Sequence, residues 1–417
     1  MEFLKPGVRR HQPTRRALLQ AAAPLLAGAL APGAAWARSA ESPAWRALLA
    51  QAKGQSVYFN AWAGAPAINA YIQWAAAQLA QRFGITLVHV KISDAAEMVQ
   101  RVRNEKAAGK TEGSVDLAWI NGENFLAMKR EGLLQGPFAE QLPAYASVDT
   151  EGKPTTRIDF SEPVQGMEAP WGMAQLTFMV DGARVSAPPR TLAAWLDFAA
   201  RHPGRLSYPR PPDFHGTTWL KQMLLDLNPG AARAALYQPH TPAAFEACTA
   251  ALWKTLDAVH PHLWRQGRQF PLSAAAQRQM MADGELLWAL TFNPNEAANE
   301  IAAGRMAASV QSYQFDSGSL GNTHFLAIPF NTRAFAGAQV AINFLLSPEA
   351  QARKADIRVW GDPTVLAVQA LPPAQRAFFQ SAPVPGQLAR SAPALPEPHA
   401  SWVEPLQTQW QRRYGAS

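Results

Sequence analysis

The chain has 417 residues, 48% of them hydrophobic and 17% charged, with 14 Trp, 19 Phe and 7 Tyr. That is too long for one ordinary core and fits two domains of about 150 to 200 residues each. The formal charge of +7 is concentrated at the start: Lys5, Arg9, Arg10, Arg15 and Arg16 against Glu2 make +4 over residues 1–37, leaving +3 for the rest. With no basic run interleaved with aromatic residues, a nucleic-acid footprint is excluded.

Residues 1–37 read as an export signal. The basic stretch ends in Thr14-Arg15-Arg16-Ala17-Leu18-Leu19, an Ala/Leu-rich run follows to about Ala31, and Ala35-Trp36-Ala37 supplies a small-x-small cleavage pattern. The paired arginines resemble a twin-arginine signal, and a general secretory signal is the alternative. No Cys follows the apolar run, so a lipid anchor is not expected. Cys248 is the single cysteine, which excludes an internal disulfide and a Cys-rich metal site. In a helix-like AFEACTAALW context it reads as a small buried thiol. No later apolar run approaches the length of a membrane span, so a soluble periplasmic protein is expected.

From Pro43 the chain alternates. Helices are predicted over Ala44 to Lys53 and Pro66 to Arg82, strands over Val57 to Asn60 and Ile85 to Ile92, and a helix over Asp94 to Ala108 that stops at Gly109. Val115 to Phe125, VDLAWINGENF, reads as a buried strand handing over to a helix, with Asn121-Gly122 as the turn and cap. Strands alternating with helices predict a mainly parallel sheet, which puts Trp62 and the Asn121 turn on one edge. Amides, free backbone N–H groups and a carboxylate converge there, which marks a ligand cleft, although an ordinary capped β-turn-α junction leaves the same pattern.

Residues 135–164, rich in Pro, Gly and polar residues, read as a surface excursion. Met173 to Val180 is a predicted strand and a place to cross between domains. Beyond it come a helix over Thr191 to Ala200, a short strand over Leu206 to Tyr208, and a Pro-rich loop, PRPPDFHGTT, whose Thr217 and Thr218 cap a helix from Trp219 to Leu227. Helices follow at Pro242 to Val259 and Ser273 to Asp283. Glu285 to Phe292 is a strand running into Asn293-Pro294-Asn295-Glu296, the same strand, Asn, helix-with-Glu design as at Asn121 to Glu123. Asn322 to Pro329 is a strand, Arg333 to Leu346 a helix, Ser347-Pro348 the start of another, and Ile357 to Val368 two extended pieces turning at Trp360-Gly361-Asp362. The tail runs through many prolines to a last helix, His399 to Arg413.

The segments VDLAWINGENFLAMK, APWGMAQLTFMVD, YPRPPDFHGTTWL, LTFNPNEAANEIAAG, GNTHFLAIPFNT, INFLLSPEAQ and VWGDPTVL span nearly the whole chain after the signal. In this order the chain resembles the solute-binding component of bacterial ABC importers, and within it the YnjB-type family of the two-lobed group that includes thiamine, polyamine and iron binders. The resemblance implies an α/β, type II-like fold: two lobes, each a mixed, mainly parallel sheet flanked by helices, with a cleft between. Lobe 1 would take residues 38–176 and 323–357, and lobe 2 residues 177–322 and 358–417. A monomer would deliver its solute to permease and ATPase subunits. Trp62, Trp119, Asn121, Glu123 and Asn124 would face the cleft from one side, and Trp171, Asp213, Phe214, Asn293 and Glu296 from the other side or the hinge.

Indoles, amides and carboxylates at strand ends suit a thiamine-like or polyamine-like solute, since a cation over an indole gains about 0.5 to 2 kcal/mol. A ferric site would need phenolates, and only Tyr208 and Tyr313 lie near candidate loops. No metal and no cofactor is expected, because the histidines lack second ligands at useful spacing. The competing class is an exported hydrolase using Glu123 and Glu296 as a glycosidase-like carboxylate pair. Both glutamates sit in helix first turns, where the helix dipole alone favours them, so a binding protein rather than an enzyme is expected.

Overall fold

The computed structural model describes residues 42–380, 383–389 and 392–415, so the export-signal reading of residues 1–37 lies outside the described residues. Helix α1 (Pro43–Ala52) is capped by Ser42, whose Oγ accepts the Trp45 N–H at 3.1 Å. Then come β1 (Ser56–Trp62), α2 (Pro66–Phe83), β2 (Thr86–Ile92), α3 (Ala95–Ala107), β3 (Leu117–Ile120) and α4 (Glu123–Arg130). Gly84, at φ 65°, ends α2 in the left-handed conformation that costs glycine little. β1 pairs in parallel with both β2 and β3, so the carboxyl ends of all three strands, at Trp62, Ile92 and Ile120, share one edge.

After a small hairpin, β4 (Ile158–Asp159) and β5 (Glu162–Pro163), the chain runs through β6 (Glu168–Gln175) into β7 (Thr177–Asp181). The single long strand expected here is divided at Leu176, and its halves serve different sheets. β6 pairs with β10 (Ser319–Ala327) in a six-stranded sheet ordered β11-β10-β3-β1-β2, where β11 is Ala394–Leu395. β7 is the centre of a three-stranded antiparallel sheet, between β8 (Trp288–Thr291) and β9 (Val310–Tyr313). At the crossing the backbone N–H of Leu176 donates to the Leu320 carbonyl at 2.7 Å.

Helices α5 (Leu192–Arg201), α6 (Phe214–Leu227), α7 (Ala231–Leu236), α8 (Pro242–Val259), α9 (Ala274–Ala282) and α10 (Glu296–Ala302) accompany the small sheet. After β10 the chain forms α11 (Phe335–Leu345), α12 (Pro348–Ala355), the single turn α13 (Pro373–Arg376) and finally α14 (Val403–Tyr414). The two largest of the apolar cores among the described residues sit on different sheets. One gathers Phe59, Tyr71, Trp171 and Ile342 around the large sheet; the other gathers Phe178, Trp195, Trp219, Trp288, Trp402 and Trp410 around the small one. The tryptophans named in these cores are almost fully buried. The Trp-rich composition therefore mainly builds cores.

Several local expectations change. Residues 135–164 are not a surface excursion, because Phe138, Leu142 and Val148 anchor them in the first core and Phe160 is 2% exposed. Leu206 to Tyr208 forms no strand: these residues are buried, but the Leu206 and Ser207 carbonyls are taken by Trp264 and Gln277 rather than by a ladder. Of residues 357–368, 357–360 are turn rather than extended, and the stretch after them pairs at Leu366, in an isolated antiparallel bridge with Val148. α6 begins at Phe214, so Thr217 and Thr218 lie inside it and Asp213 is the cap. Gly122, not Asn121, occupies the cap position of α4, at φ 60° and without a side-chain bond. Cys248 is buried in α8, as expected.

Candidate functional site

The edge that carries Trp62, Asp94 and Asn121 is built by the parallel register of β1, β2 and β3. At Trp62 the half-buried ring folds over Gly64, leaving no room there for a Cβ. Trp119, also half-buried, sits on an aromatic cluster: its ring lies 5.1 Å from Trp171, 5.0 Å from His324 and 5.9 Å from Trp360. Beneath this cluster a buried polar knot joins Lys354 to Asp362, with His324 Nε2 3.1 Å from the same carboxylate. Gly172 in β6 has no space for a Cβ because this knot fills it. Burial pushes the Lys354 ammonium below the usual lysine range, while Asp362 works in the opposite direction. Trp171 is fully buried in this arrangement, so it is a core residue and not a cleft wall.

Gly122 turns the chain into α4, and its N–H donates to Asp159 Oδ2 at 2.5 Å. A Cβ at Gly122 would stand 2.7 Å from the Phe160 ring. Asn121, Glu123 and Asn124 are half-buried. Among the described residues the Glu123 carboxylate has no ion pair and no hydrogen bond to another side chain. Removal from water raises its pKa above the usual carboxylate range; Lys221 opposes the rise, and Asp94 and Glu397 add to it. Asp159 is 1% exposed with Oδ1 unpartnered, and burial holds its carboxyl well above the usual range.

The facing elements come from the small-sheet side. Phe214 packs edge-on against Phe292 at 5.3 Å and joins Leu126, Phe160, Ala400 and Val403 in an apolar cluster between the lobes. Two turns further along α6, Lys221 is 1% exposed, stands 4.1 Å from the centre of the Phe160 ring and pairs with Glu397 at 2.7 Å. Asp213 does not present a free carboxylate: Oδ1 accepts the N–H groups of His215 and Gly216 at 2.9 and 3.2 Å.

The junction at Phe292 to Glu296 is of a different kind. Glu296 pairs with Arg278 at 2.5 Å; burial raises its pKa and Arg278 pulls it back. Asn293 Nδ2 reaches the Trp360 carbonyl at 3.4 Å, Asn295 Nδ2 donates to the Gly361 carbonyl at 2.6 Å, and Asn299 Nδ2 donates to the Ile357 carbonyl. Three asparagines thus stitch this junction to the loop after α12. With Glu296 committed to Arg278, a glycosidase-like pair of Glu123 and Glu296 loses one member.

The structure therefore brings Glu123 together with four residues that sequence reasoning did not single out: Asp159, Phe160, Lys221 and Glu397. Lys221 had a readable signal, since a lysine flanked by Trp219, Leu220, Met223 and Leu224 in TTWLKQMLL must find a buried partner. Glu397, in a proline-rich tail, had none. Cavities of about 270 and 330 Å³ flank the crossing strands on either side of Thr155 and Gly321, and neither is lined by Trp62, Trp119 or Glu123. Among the described residues no helix is long and apolar enough to cross a membrane, and no cluster of three or more His, Cys, Asp or Glu is placed to hold a metal ion.

Comparison with known proteins yields a match of residues 74–383 to the family described as bacterial extracellular solute-binding protein. The chain is 48% identical over 372 residues to protein YnjB of Escherichia coli (strain K12), covering 89% of this chain and 94% of that one. Similar solved structures include the Tp0655 (TpPotD) lipoprotein of Treponema pallidum (TM-score 0.61, 16% identity, 85% of this chain and 98% of that one). The apo ferric ion-binding protein A of Pasteurella haemolytica gives 0.60 at 12% identity, over 86% and 98%. The spermidine/putrescine ABC transporter substrate-binding protein PotD of Streptococcus pneumoniae gives 0.57 at 15% identity, over 86% and 99%. At these identities the solved structures establish a shared two-lobed fold.

Proposed function

The chain belongs to the bacterial extracellular solute-binding protein family, and from that premise we propose that it captures a small cationic or polar organic solute between its lobes and passes it to the permease and ATPase subunits of an ABC importer. The observation that carries this reading is the Glu123 carboxylate, which has no ion-pair partner among the described residues and lies within electrostatic reach of the other lobe's Lys221. Carboxylates predominate around it, with Asp94, Asp159 and Glu397 nearby and Lys221 already matched by Glu397. An ammonium entering here gains a counter-ion, and Phe214, whose ring centre lies 5.8 Å from the Lys221 ammonium, offers an aromatic face at about 0.5 to 2 kcal/mol. Asn121 and Asn124 supply directional amides. Solved structures of the same fold include a spermidine/putrescine substrate-binding protein, which supports the cationic class.

In this reading residues 38–176 with 323–357 form lobe 1 and residues 177–322 with 358–417 form lobe 2, except that Trp360, Val365, Leu366 and Leu371 pack in the large-sheet core and so move the stretch 358–371 to lobe 1; closure of the pair signals occupancy. The protein works as a periplasmic monomer after removal of a twin-arginine signal. Replacing Arg15 and Arg16 by Lys should leave a precursor in the cytoplasm; normal export would assign the signal to the general route. For the solute class, calorimetry with thiamine, spermidine and putrescine is the direct test. Heat from one of them, with affinity weakened roughly 30-fold by Glu123→Gln, is expected. Binding of a neutral or anionic solute with no heat from any of the three would overturn the cationic assignment.

A further inference from the structure

The C-terminal segment 392–402 crosses between the lobes and touches both. Its Ala392 N–H donates to Gln314 Oε1 at 2.8 Å, and β11 pairs with the start of β10. The His399 N–H donates to the Leu236 carbonyl at 2.8 Å and Trp402 Nε1 to the Gln238 carbonyl at 2.9 Å, both on the small-sheet side. On the large-sheet side the Ala400 N–H donates to the Phe160 carbonyl at 2.9 Å, Ser161 Oγ donates to the Glu397 carbonyl at 2.9 Å, and His399 Nε2 lies 3.7 Å from Glu162. Glu397 stands where these anchors meet. Its carboxylate pairs with Lys221 at 2.7 Å and accepts from Asn322 Nδ2 at 3.0 Å, and both charged side chains are almost fully buried.

Lys221 cannot stay in such a place as a lone charge. The Phe160 ring that carries its ammonium is the ring that Gly122 rests against, so Lys221 and the start of α4 share one surface. The carboxylates within electrostatic reach of Lys221 there are Glu123 and Asp159, and Glu123 in turn faces Asp94 and Glu397. We propose that Glu397 is a positioning residue of the binding site: delivered by the C-terminal strap, it holds Lys221 and so keeps the Glu123 carboxylate open to a cationic solute. This rests on the cationic reading of the cleft and adds a residue to it that does not touch the solute.

Two variants test it. In Glu397→Gln, Lys221 turns to Glu123 and closes the site; in Lys221→Met/Glu397→Gln no ammonium is left to do so, and removing a buried pair in favour of an apolar side chain is tolerated by the fold. Putrescine affinity by calorimetry should fall at least about tenfold in the single variant and return to within about threefold of the parent in the double variant. Carboxylate NMR of the solute-free protein supplies an independent readout. The Glu123 carboxyl should titrate at lower pH in Glu397→Gln than in the parent, and move back up in the double variant. An unchanged Glu123 titration, or putrescine binding that stays lost in the folded double variant, overturns the proposal. If the parent ignores thiamine, spermidine and putrescine alike while Glu123 titrates as described, the cationic solute class falls and the positioning role stands.

Discussion

Two junctions share a pattern in this chain, an apolar strand, then Asn, then a helix whose first turn holds Glu, and the fold uses them in opposite ways. At Ile120 to Glu123 the carboxylate is without an ion pair among the described residues, and its surroundings, Asp94, Asp159 and Glu397 against Lys221, make it costly to keep charged. At Phe292 to Glu296 the carboxylate is matched by Arg278, and the asparagines beside it clip the loop at 357–361. A charge left unsatisfied in a folded protein is a candidate for a ligand's counter-charge, whereas a matched charge is structural. The difference is set by what the partner segments bring, Arg278 in one case and an already occupied Lys221 in the other.

The contrast is sharpest in a pair of glutamate variants. Glu296→Ala strands Arg278 in a mostly buried position, with only the longer Glu300 contact at 3.7 Å remaining, and should cost about 3 kcal/mol of stability in urea unfolding. Glu123→Gln should leave the unfolding midpoint at pH 7 unchanged or raised while weakening cationic solute binding by about 2 kcal/mol, roughly 30-fold in calorimetry. If both variants lose stability and neither affects binding, the two junctions are alike and both are structural.

The pH dependence sharpens the same point. Glu123 has a folded-state pKa raised above its unfolded value, so the folded state holds the proton more tightly. The stabilisation is present at low pH and lost as pH rises through the raised folded value. Solute binding runs the other way, because an ammonium requires the ionised carboxylate. Affinity should climb with pH across that window by at most about tenfold per unit, with proton release seen as buffer-dependent heat, and Glu123→Gln should abolish the climb. The smallest expected effect belongs to the candidate in the Pro-rich loop: Asp213→Ala removes a helix cap and should cost about 1 kcal/mol, with solute affinity unchanged. A large loss of affinity there would return Asp213 to the site.

The alternation of elements through α3 was legible because it rests on local signals: the apolar face of α2, the Asp94 cap, and Gly84 and Gly109 as stops. The same signals misled over 135–164. Pro and Gly there mark turns, but a turn-rich segment is drawn into a core when Phe138, Leu142 and Val148 recur along it. Thr217 and Thr218 were plausible caps by type, yet Asp213 lies one turn earlier and accepts two N–H groups, so the helix starts there. The candidate site was half legible. Trp119 and Glu123 follow from a strand end, while Asp159 and Phe160 come from the misread segment and Glu397 from a tail with no periodic signal.

By itself the sequence determined the α/β alternation, the shared edge of Trp62 and Asn121, and the family, because each follows from short-range pattern or from motifs held in order along the chain. Only the tertiary structure decided that Trp171 is core, that Glu296 is spent on Arg278, and that Glu397 reaches Lys221 from 176 residues away. Charge matching depends on which buried groups the fold places within a few ångströms of one another, and residue spacing carries no record of that. The strand that ends at Ile120 could announce a carboxylate. Whether that carboxylate was free to bind was settled by a helix and a tail from elsewhere in the chain.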